Sequence, residues 1–257
     1  MYDPRDSRLA RTPVIDVPIT ATNMHDVLSF IDENLADVKG EYICVSNAHT
    51  TVMAHDDPSY YCVQTESLMS VPDGKPLSVI GRRAVPTMDR VTGPDLMREI
   101  FAMSVARGYR HYFYGNTCEN LDMLISTLAR DYPEVIVCGF EPSVFREMTP
   151  SEERALASRI NQAHPDFVWV ALGAPRQEEF CHRMRGEIDG LMIGVGGAFN
   201  ILAGVTPEAP RWMQTFSLEW LYRLIQEPRR LFMRYFVTNT KFMLYQLMGS
   251  KRKKEIW

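Results

Sequence analysis

Two kinds of hydrophobic pattern alternate along this chain. Short runs that are apolar on both faces, Tyr42–Ser46, Tyr109–Tyr114, Val135–Phe140, Phe167–Leu172 and Leu191–Val195, are separated by longer stretches. In those stretches apolar residues return every three or four positions. The first pattern suits strands buried on both sides in a parallel sheet, the second amphipathic helices. The helix starts carry their own signals. Asn23 precedes a helix to about Asp37, with Val27, Leu28, Ile31 and Leu35 on one face. Asn47 opens another. Thr92 or Gly93 caps a third, with Pro94 in its first turn, where proline is tolerated. Thr149 followed by Glu152 is a capping pattern for a helix to Ala163. Further helices are predicted over Glu119–Arg130, from Gly74 to Arg82 or Arg83, and over Gln177–Arg185. Pro13–Thr20 reads as a short edge hairpin, and residues 59–72 as helix or strand leading to Met69–Asp73. Strands alternating with helices predict an α/β fold, a Rossmann-like, mostly parallel sheet flanked by helices. Near Ser217 the strands stop. The chain therefore divides into an α/β body, 1–216, and a helical C-terminal appendage, 217–257.

Two of the strands run straight into glycine. Phe167–Leu172 meets Gly173-Ala174-Pro175-Arg176-Gln177, and Leu191–Val195 leads through Gly196 and Gly197 to Asn200. Glycine there lets the chain turn sharply and lets a ligand approach the main chain. Open α/β sheets bind ligands at the carboxyl ends of their strands. These two turns are thus expected to be neighbouring walls of one crevice. Each alone would pass as an ordinary strand-to-helix turn; the pair points to a site.

Composition narrows the class. Hydrophobic content of 46% and charged content of 23% are those of a soluble globular protein. The five cysteines form no C-x-x-C pair and read as reduced core thiols. No N-terminal apolar signal is present, and no run reaches the roughly 20 apolar residues of a spanning helix. The net charge of −4 conceals a division: Glu219–Trp257 holds nine Lys/Arg against three Asp/Glu, a net of +6, so the rest carries −10. A basic tail on an acidic body implies an anionic partner: a membrane surface, a phosphorylated substrate or nucleic acid. On a helix starting at Pro228, Arg230, Arg234 and Lys241 share one side and Leu231, Phe232, Tyr235, Phe236 and Phe242 the other, the pattern of an interfacial helix. Lys251–Lys254 adds charge for anionic lipid. A docked helix with a solvated basic face has the same pattern. Its apolar face also raises self-association.

Candidate chemistry is sparse. Asp73 lies in a Pro-Asp-Gly turn, where an aspartate ordinarily holds nearby backbone. Ser46 and Asn47 end a strand before a helix and are expected to face the crevice or cap the helix. Arg90 sits in a loop beside Asp89 and Asp95, either as a ligand residue or in a surface ion pair. Gln177 can both donate and accept, which suits hydroxyls or amides. Glu152, Glu153, Glu178 and Glu179 are expected to be solvated on helical faces. The six histidines form no metal-binding grouping, and no Asp-x-Asp is present. The G-x-G-x-x-G, Walker and G-x-S-x-G patterns are all missing. No metal or cofactor is expected.

In their order along residues 13–235, several motifs resemble the WecG/TagA/CpsF family of bacterial glycosyltransferases, glycosyltransferase family twenty-six. They are Val71-Pro72-Asp73-Gly74, Asp89–Leu96, Val170–Glu178, Gly194–Phe199, Ala203-Gly204, Ala209–Trp212, Leu218–Leu224 and Glu227–Arg230. The resemblance implies a metal-independent, inverting transfer from a UDP-sugar, typically of N-acetylmannosamine type. The acceptor is a sugar on undecaprenyl diphosphate at the cytoplasmic membrane face, and the products feed teichoic acid, common antigen or capsule. By position, Asp73 is implied as general base with Asn47 beside it and Arg90 close by. Ser46, Gly173, Gln177, Gly196, Gly197 and Asn200 are implied around the donor. Arg211, Arg223, Arg230 and Arg234 are implied to bring the lipid-linked acceptor and the membrane to the site. The tail then has a membrane partner and no nucleic-acid one. Asn200 stands where relatives often have Asp, Asp89 where Glu is usual, and residues 139–147 depart from the common form. These departures bear on the donor more than on the reaction. A nucleotide-sugar epimerase or dehydrogenase is the second reading, weakened by the missing dinucleotide motif; a non-catalytic lipid-binding scaffold is the third.

Overall fold

A computed structural model describes residues 3–210, 212–213 and 218–248. After a 3-10 turn at Ser7–Leu9 comes a hairpin: β1 (Arg11–Val14) pairs antiparallel with β2 (Val17–Thr20) as a separate two-stranded sheet. Helix α1 (Met24–Asn34) follows, capped by the Asn23 side chain. The body then runs β3 (Tyr42–Ser46), α2 (Ala48–Asp56), α3 (Pro58–Thr65), β4 (Met69–Pro72), α4 (Lys75–Gly81) and α5 (Gly93–Arg107). It continues with β5 (Arg110–Gly115), α6 (Cys118–Asp131), β6 (Ile136–Glu141), α7 (Pro150–Gln162), β7 (Phe167–Ala171), α8 (Arg176–Arg183), β8 (Leu191–Gly194) and α9 (Ala198–Leu202). Two further helices end the described chain, α10 (Glu219–Gln226) and α11 (Pro228–Met248).

All six strands of the main sheet are parallel, in the order β4-β3-β8-β7-β5-β6. Strand alternation explains why both faces had to be apolar. Ile43, Val45, Phe167, Trp169, Leu191 and Ile193 enter one core with α1, α5, α6 and α9. Tyr42, Cys44, Val168, Val170 and Met192 enter a second core with α2, α3, α7 and α8. Each sheet face is thus covered, as a parallel sheet requires. The hairpin is tied to the sheet where Ser70 N–H donates to Thr20 Oγ1 at 2.9 Å.

Topology opens the crevice. From β3 the chain moves outward to β4, then crosses to β5 and β6 at the far side, and returns through β7 to lay β8 against β3. The connections leaving β3 and β8 diverge at their carboxyl ends, the switch-point geometry that binds ligands in α/β sheets.

Helix α11 docks on α2. Thr238 Oγ1 and His49 Nδ1 lie 3.2 Å apart, Lys241 Nζ is 2.6 Å from Asp56 Oδ2, and Tyr245 donates to Asp56 Oδ1 at 2.7 Å. Phe242 is buried. This corrects the sequence reading at two positions: Lys241 is ion-paired with the body, and Phe242 packs inside it. The tertiary contact with α2, invisible in the helical pattern, decides both. Phe232, Met233, Phe236, Met243, Leu244 and Leu247 remain exposed.

Candidate active site

Asp73 follows the last residue of β4, and its N–H extends the ladder by donating to Ser46 O at 2.7 Å. Its carboxyl therefore stands at the carboxyl ends of β3 and β4, half-buried. Asn47 stands beside it, close enough that a side chain on Gly74 would touch its Cβ at 3.5 Å. Both expectations for Asn47 hold at once. Its Oδ1 caps α2 by accepting from His49 N–H at 2.9 Å and Thr50 N–H at 3.3 Å. Its amide lies close enough to the Asp73 carboxyl to help lower its pKa. One end of the side chain serves the helix, the other the site.

Cations complete the surroundings. Burial raises the Asp73 pKa above the ordinary carboxylate value, Arg223 and then Arg90 pull it back, Asn47 helps them, and Glu219 opposes them. Arg90 Nη1 is 2.5 Å from Glu219 Oε1, so its ion pair is made with α10 and not with Asp89 or Asp95. Arg223, one turn along α10, reaches towards the glycine turn: its Nη1 lies 4.0 Å from where a Cβ on Gly197 would stand. Helix α10 thus brings both an acid and an arginine over the crevice. Glu219 falls within the Leu218–Leu224 motif, but no local signal there placed it beside Arg90.

The two glycine turns meet at Gln177. Val195 and Gly196 N–H both donate to Val170 O, which fastens the end of β8 to β7. Gln177 Oε1 accepts from Gly173 N–H at 3.1 Å. A Cβ on Gly194 would lie 3.2 Å from Gln177 Cγ, and one on Gly196 3.1 Å from Gln177 Oε1. Gly173 and Gly196 also have φ of 76° and 51°, the left-handed region that favours glycine. Gln177 is buried, so the amide is largely spent on bracing the two turns against each other.

Four positions differ from expectation. Ser46 does not present its hydroxyl to the crevice: Oγ donates to Gln64 Oε1 at 2.7 Å and lies 2.8 Å from Ser70 Oγ in a buried cluster. The strand alternation that sends Tyr42 and Cys44 into the second core sends Ser46 the same way. Asn200 is bound to the neighbouring turn. Its Oδ1 accepts from Asn116 Nδ2 at 2.6 Å and Asn120 Nδ2 at 3.2 Å. Asn116 follows Gly115, whose φ of 111° and 2.6 Å approach of any Cβ to Ala171 O exclude a side chain. Glu178 is buried rather than solvated, because α8 lays it against α3 and β3; Glu153 is also buried and accepts from Arg183 at 2.8 Å. Arg211 lies outside the described residues, as do the side chains of Arg230 and Arg234. Among the described residues no three His, Cys, Asp or Glu side chains cluster as a metal site would.

A model of the glycosyl transferase WecG/TagA/CpsF family matches residues 12–256. The chain belongs to the WecG/TagA/CpsF family. It is therefore a glycosyltransferase. Two similar proteins bear the name N-acetylglucosaminyldiphosphoundecaprenol N-acetyl-beta-D-mannosaminyltransferase. That of Bacillus subtilis (strain 168) is 28% identical over 245 residues, covering 94% of this chain and 93% of the relative. That of Bacillus spizizenii (strain ATCC 23059 / NRRL B-14472 / W23) is 28% identical over 218 residues, covering 84% and 81%. Membership of the WecG/TagA/CpsF family removes both the epimerase or dehydrogenase and the scaffold readings. No helix among the described residues is long and apolar enough to cross a membrane.

Proposed function

We propose that this glycosyltransferase moves an N-acetylmannosamine-type sugar from a UDP-sugar to N-acetylglucosamine carried on undecaprenyl diphosphate, with inversion. The acceptor and sugar follow the names of the two similar enzymes. The observation that carries the reading is Asp73 at the β3/β4 strand ends, held by Asn47 and faced by Arg223 and Arg90. In a single displacement the acceptor hydroxyl oxygen attacks the anomeric carbon while the bond from that carbon to the UDP oxygen breaks. The hydroxyl proton goes to Asp73 as general base. UDP leaves with the bonding electron pair, and its growing charge faces Arg223 and the turn at Gly196 and Gly197. In this reading Gly173 and Gln177 shape the donor crevice, and Asn200 joins it through the amide cluster. The positive charge that leaving UDP needs comes from side chains, which is why we read the transfer as metal-independent.

The acceptor is greasy, and the appendage from residue 217 carries the apolar stripe that suits it. Phe232, Phe236, Met243 and Leu247 are exposed along α11. The sequence adds basic charge to this segment, which suits an anionic membrane surface on the cytoplasmic side where UDP-sugars are held. A panel of UDP-sugars with polyprenyl-diphosphate-linked N-acetylglucosamine, read by product mass, tests the reaction. The expected product gains one N-acetylhexosamine from UDP-N-acetylmannosamine, with activity kept in EDTA. Transfer from a non-uridine donor alone would overturn the donor assignment. Co-sedimentation with anionic vesicles tests the docking face, and a protein that stays in the supernatant as a dimer would assign the stripe to self-association instead.

A further inference from the structure

Beside the crevice lies a buried acid that the proposed transfer does not use. Glu178 is 1% exposed. Its Oε1 accepts from Gln177 Nε2 at 2.8 Å, and its Oε2 has no hydrogen-bond partner among the described residues. A buried carboxyl left half-satisfied is costly, and such groups recur where function requires them.

The geometry around Gln177 shows what Glu178 does. A side-chain amide can flip, exchanging its donor and acceptor ends. Here Gly173 N–H calls for the acceptor and Glu178 for the donor, so the two neighbours specify one orientation together. In that orientation Gln177 fills the space beside Gly194 and Gly196 and spans the two turns. Flipped, its oxygen would face the Glu178 oxygen and its NH2 would face Gly173 N–H.

Burial raises the Glu178 pKa to about 7, against the Gln177 hydrogen bond, its own backbone and the nearby Tyr60 phenol; nearby Glu179 adds to the rise. The titratable groups facing it are Tyr60 on α3, Cys44 on β3, and Cys181 and Glu179 on α8. Burial also pushes the Tyr60 phenol and both thiols upward, so they stay neutral around neutrality.

We propose that Glu178 is a positioning residue for the donor: it fixes the Gln177 amide that sets the width between the Gly173 and Gly194–Gly197 turns, and it takes up a proton as the diphosphate enters. The proposal rests on the nucleotide-sugar reading above. A diphosphate at these turns adds negative charge one residue from a carboxyl that already resists ionisation, so binding favours the acid form. The acid form still accepts from Gln177 through its carbonyl oxygen.

Calorimetric titration of the full chain with UDP-N-acetylmannosamine, whose phosphates keep fixed charge near neutrality, tests this in two buffers of different ionisation enthalpy. The wild type is expected to take up part of a proton at about pH 7. Its Kd should rise above that pH by up to about tenfold per unit. Glu178→Gln keeps an acceptor for Gln177; it should bind within about threefold of the wild type at about pH 6, take up no proton and show a flat profile. Glu178→Leu removes the acceptor and should weaken binding about tenfold or more. If that variant does not fold, the comparison of Glu178→Gln with wild type decides. Equal proton uptake in wild type and Glu178→Gln overturns the proposal and leaves the donor reading standing. So does weaker binding by Glu178→Leu without any difference in pH profile, which would make Glu178 a packing residue. No binding to any of the three proteins would overturn the donor reading and this proposal together.

Discussion

Asp73→Asn is expected to lower kcat about a thousandfold while leaving the donor KM within a few-fold. The substitution is nearly isosteric. It keeps the backbone bond to Ser46 O and can still pair with Asn47, so the turn is preserved. What it removes is the carboxylate basicity that takes the acceptor proton. Nothing else described at the strand ends replaces it: the Asn47 amide is not a base, and Arg90 and Glu219 are committed to each other. Steady-state kinetics with product mass would check it, and turnover within tenfold of wild type would remove Asp73 from the chemistry.

The pH profile supplies a second check with a definite sign. Burial holds the Asp73 pKa above its ordinary value even against Arg223 and Arg90. A base works ionised, so kcat/KM should fall as pH falls through that raised pKa, at higher pH than for an exposed aspartate. Stability runs the other way. A carboxyl whose folded pKa is raised binds its proton more tightly folded than unfolded, so the wild type loses stability as pH rises through the interval between the two values. Asp73→Asn removes that loss, and its melting temperature at neutral pH should match or exceed the wild type. An inactive variant that also melts early would be a folding defect, not a chemical one.

Much of this site is legible in the order of residues because strands and caps are local. Tyr42–Ser46 reads as a buried strand from its own five residues, and Asn47 as a cap from its place before α2. The two glycine turns can be paired from sequence because parallel α/β topology forces successive strand ends to one side. Ser46 shows where local reading goes astray: alternation along β3 puts it on the Cys44 face, pointing into the core. Glu178 could not be placed locally. Arg176-Gln177-Glu178-Glu179 looks like solvated helix, and only α3 and β3 closing over it make it interior. The short strand β4 was ambiguous because four residues, Met69-Ser70-Val71-Pro72, suit helix or strand until β3 pairs with them. Glu219 and Arg223 depend on how α10 returns across the crevice, a matter of long-range packing. The same holds for Lys241, whose partner Asp56 is remote in sequence.

Arg223→Ala is expected to lower kcat about a hundredfold with a smaller change in donor KM. Arg223 is exposed on a short helix, so the substitution removes charge with little packing, and the melting temperature should stay close to wild type. Its guanidinium faces both halves of the reaction: the Asp73 carboxylate on one side and the Gly197 turn on the other. A cation there stabilises the charge that grows on leaving UDP, which exists in the transition state more than in the ground state, so the loss falls on kcat. The pH profile separates this from simple misplacement. Arg223 is the largest of the influences holding the Asp73 pKa down, so its removal should move the acid limb of kcat/KM to higher pH. Arg223→Lys restores a positive charge without the planar fork and should return the limb towards wild type while recovering only part of kcat. Arg90→Ala differs, because it frees Glu219 beside Asp73; the limb should again rise, by repulsion as well as by lost attraction. An acid limb unmoved by Arg223→Ala would mean that α10 does not close over Asp73 during turnover, and the arginine's part in the transfer would have to be given up.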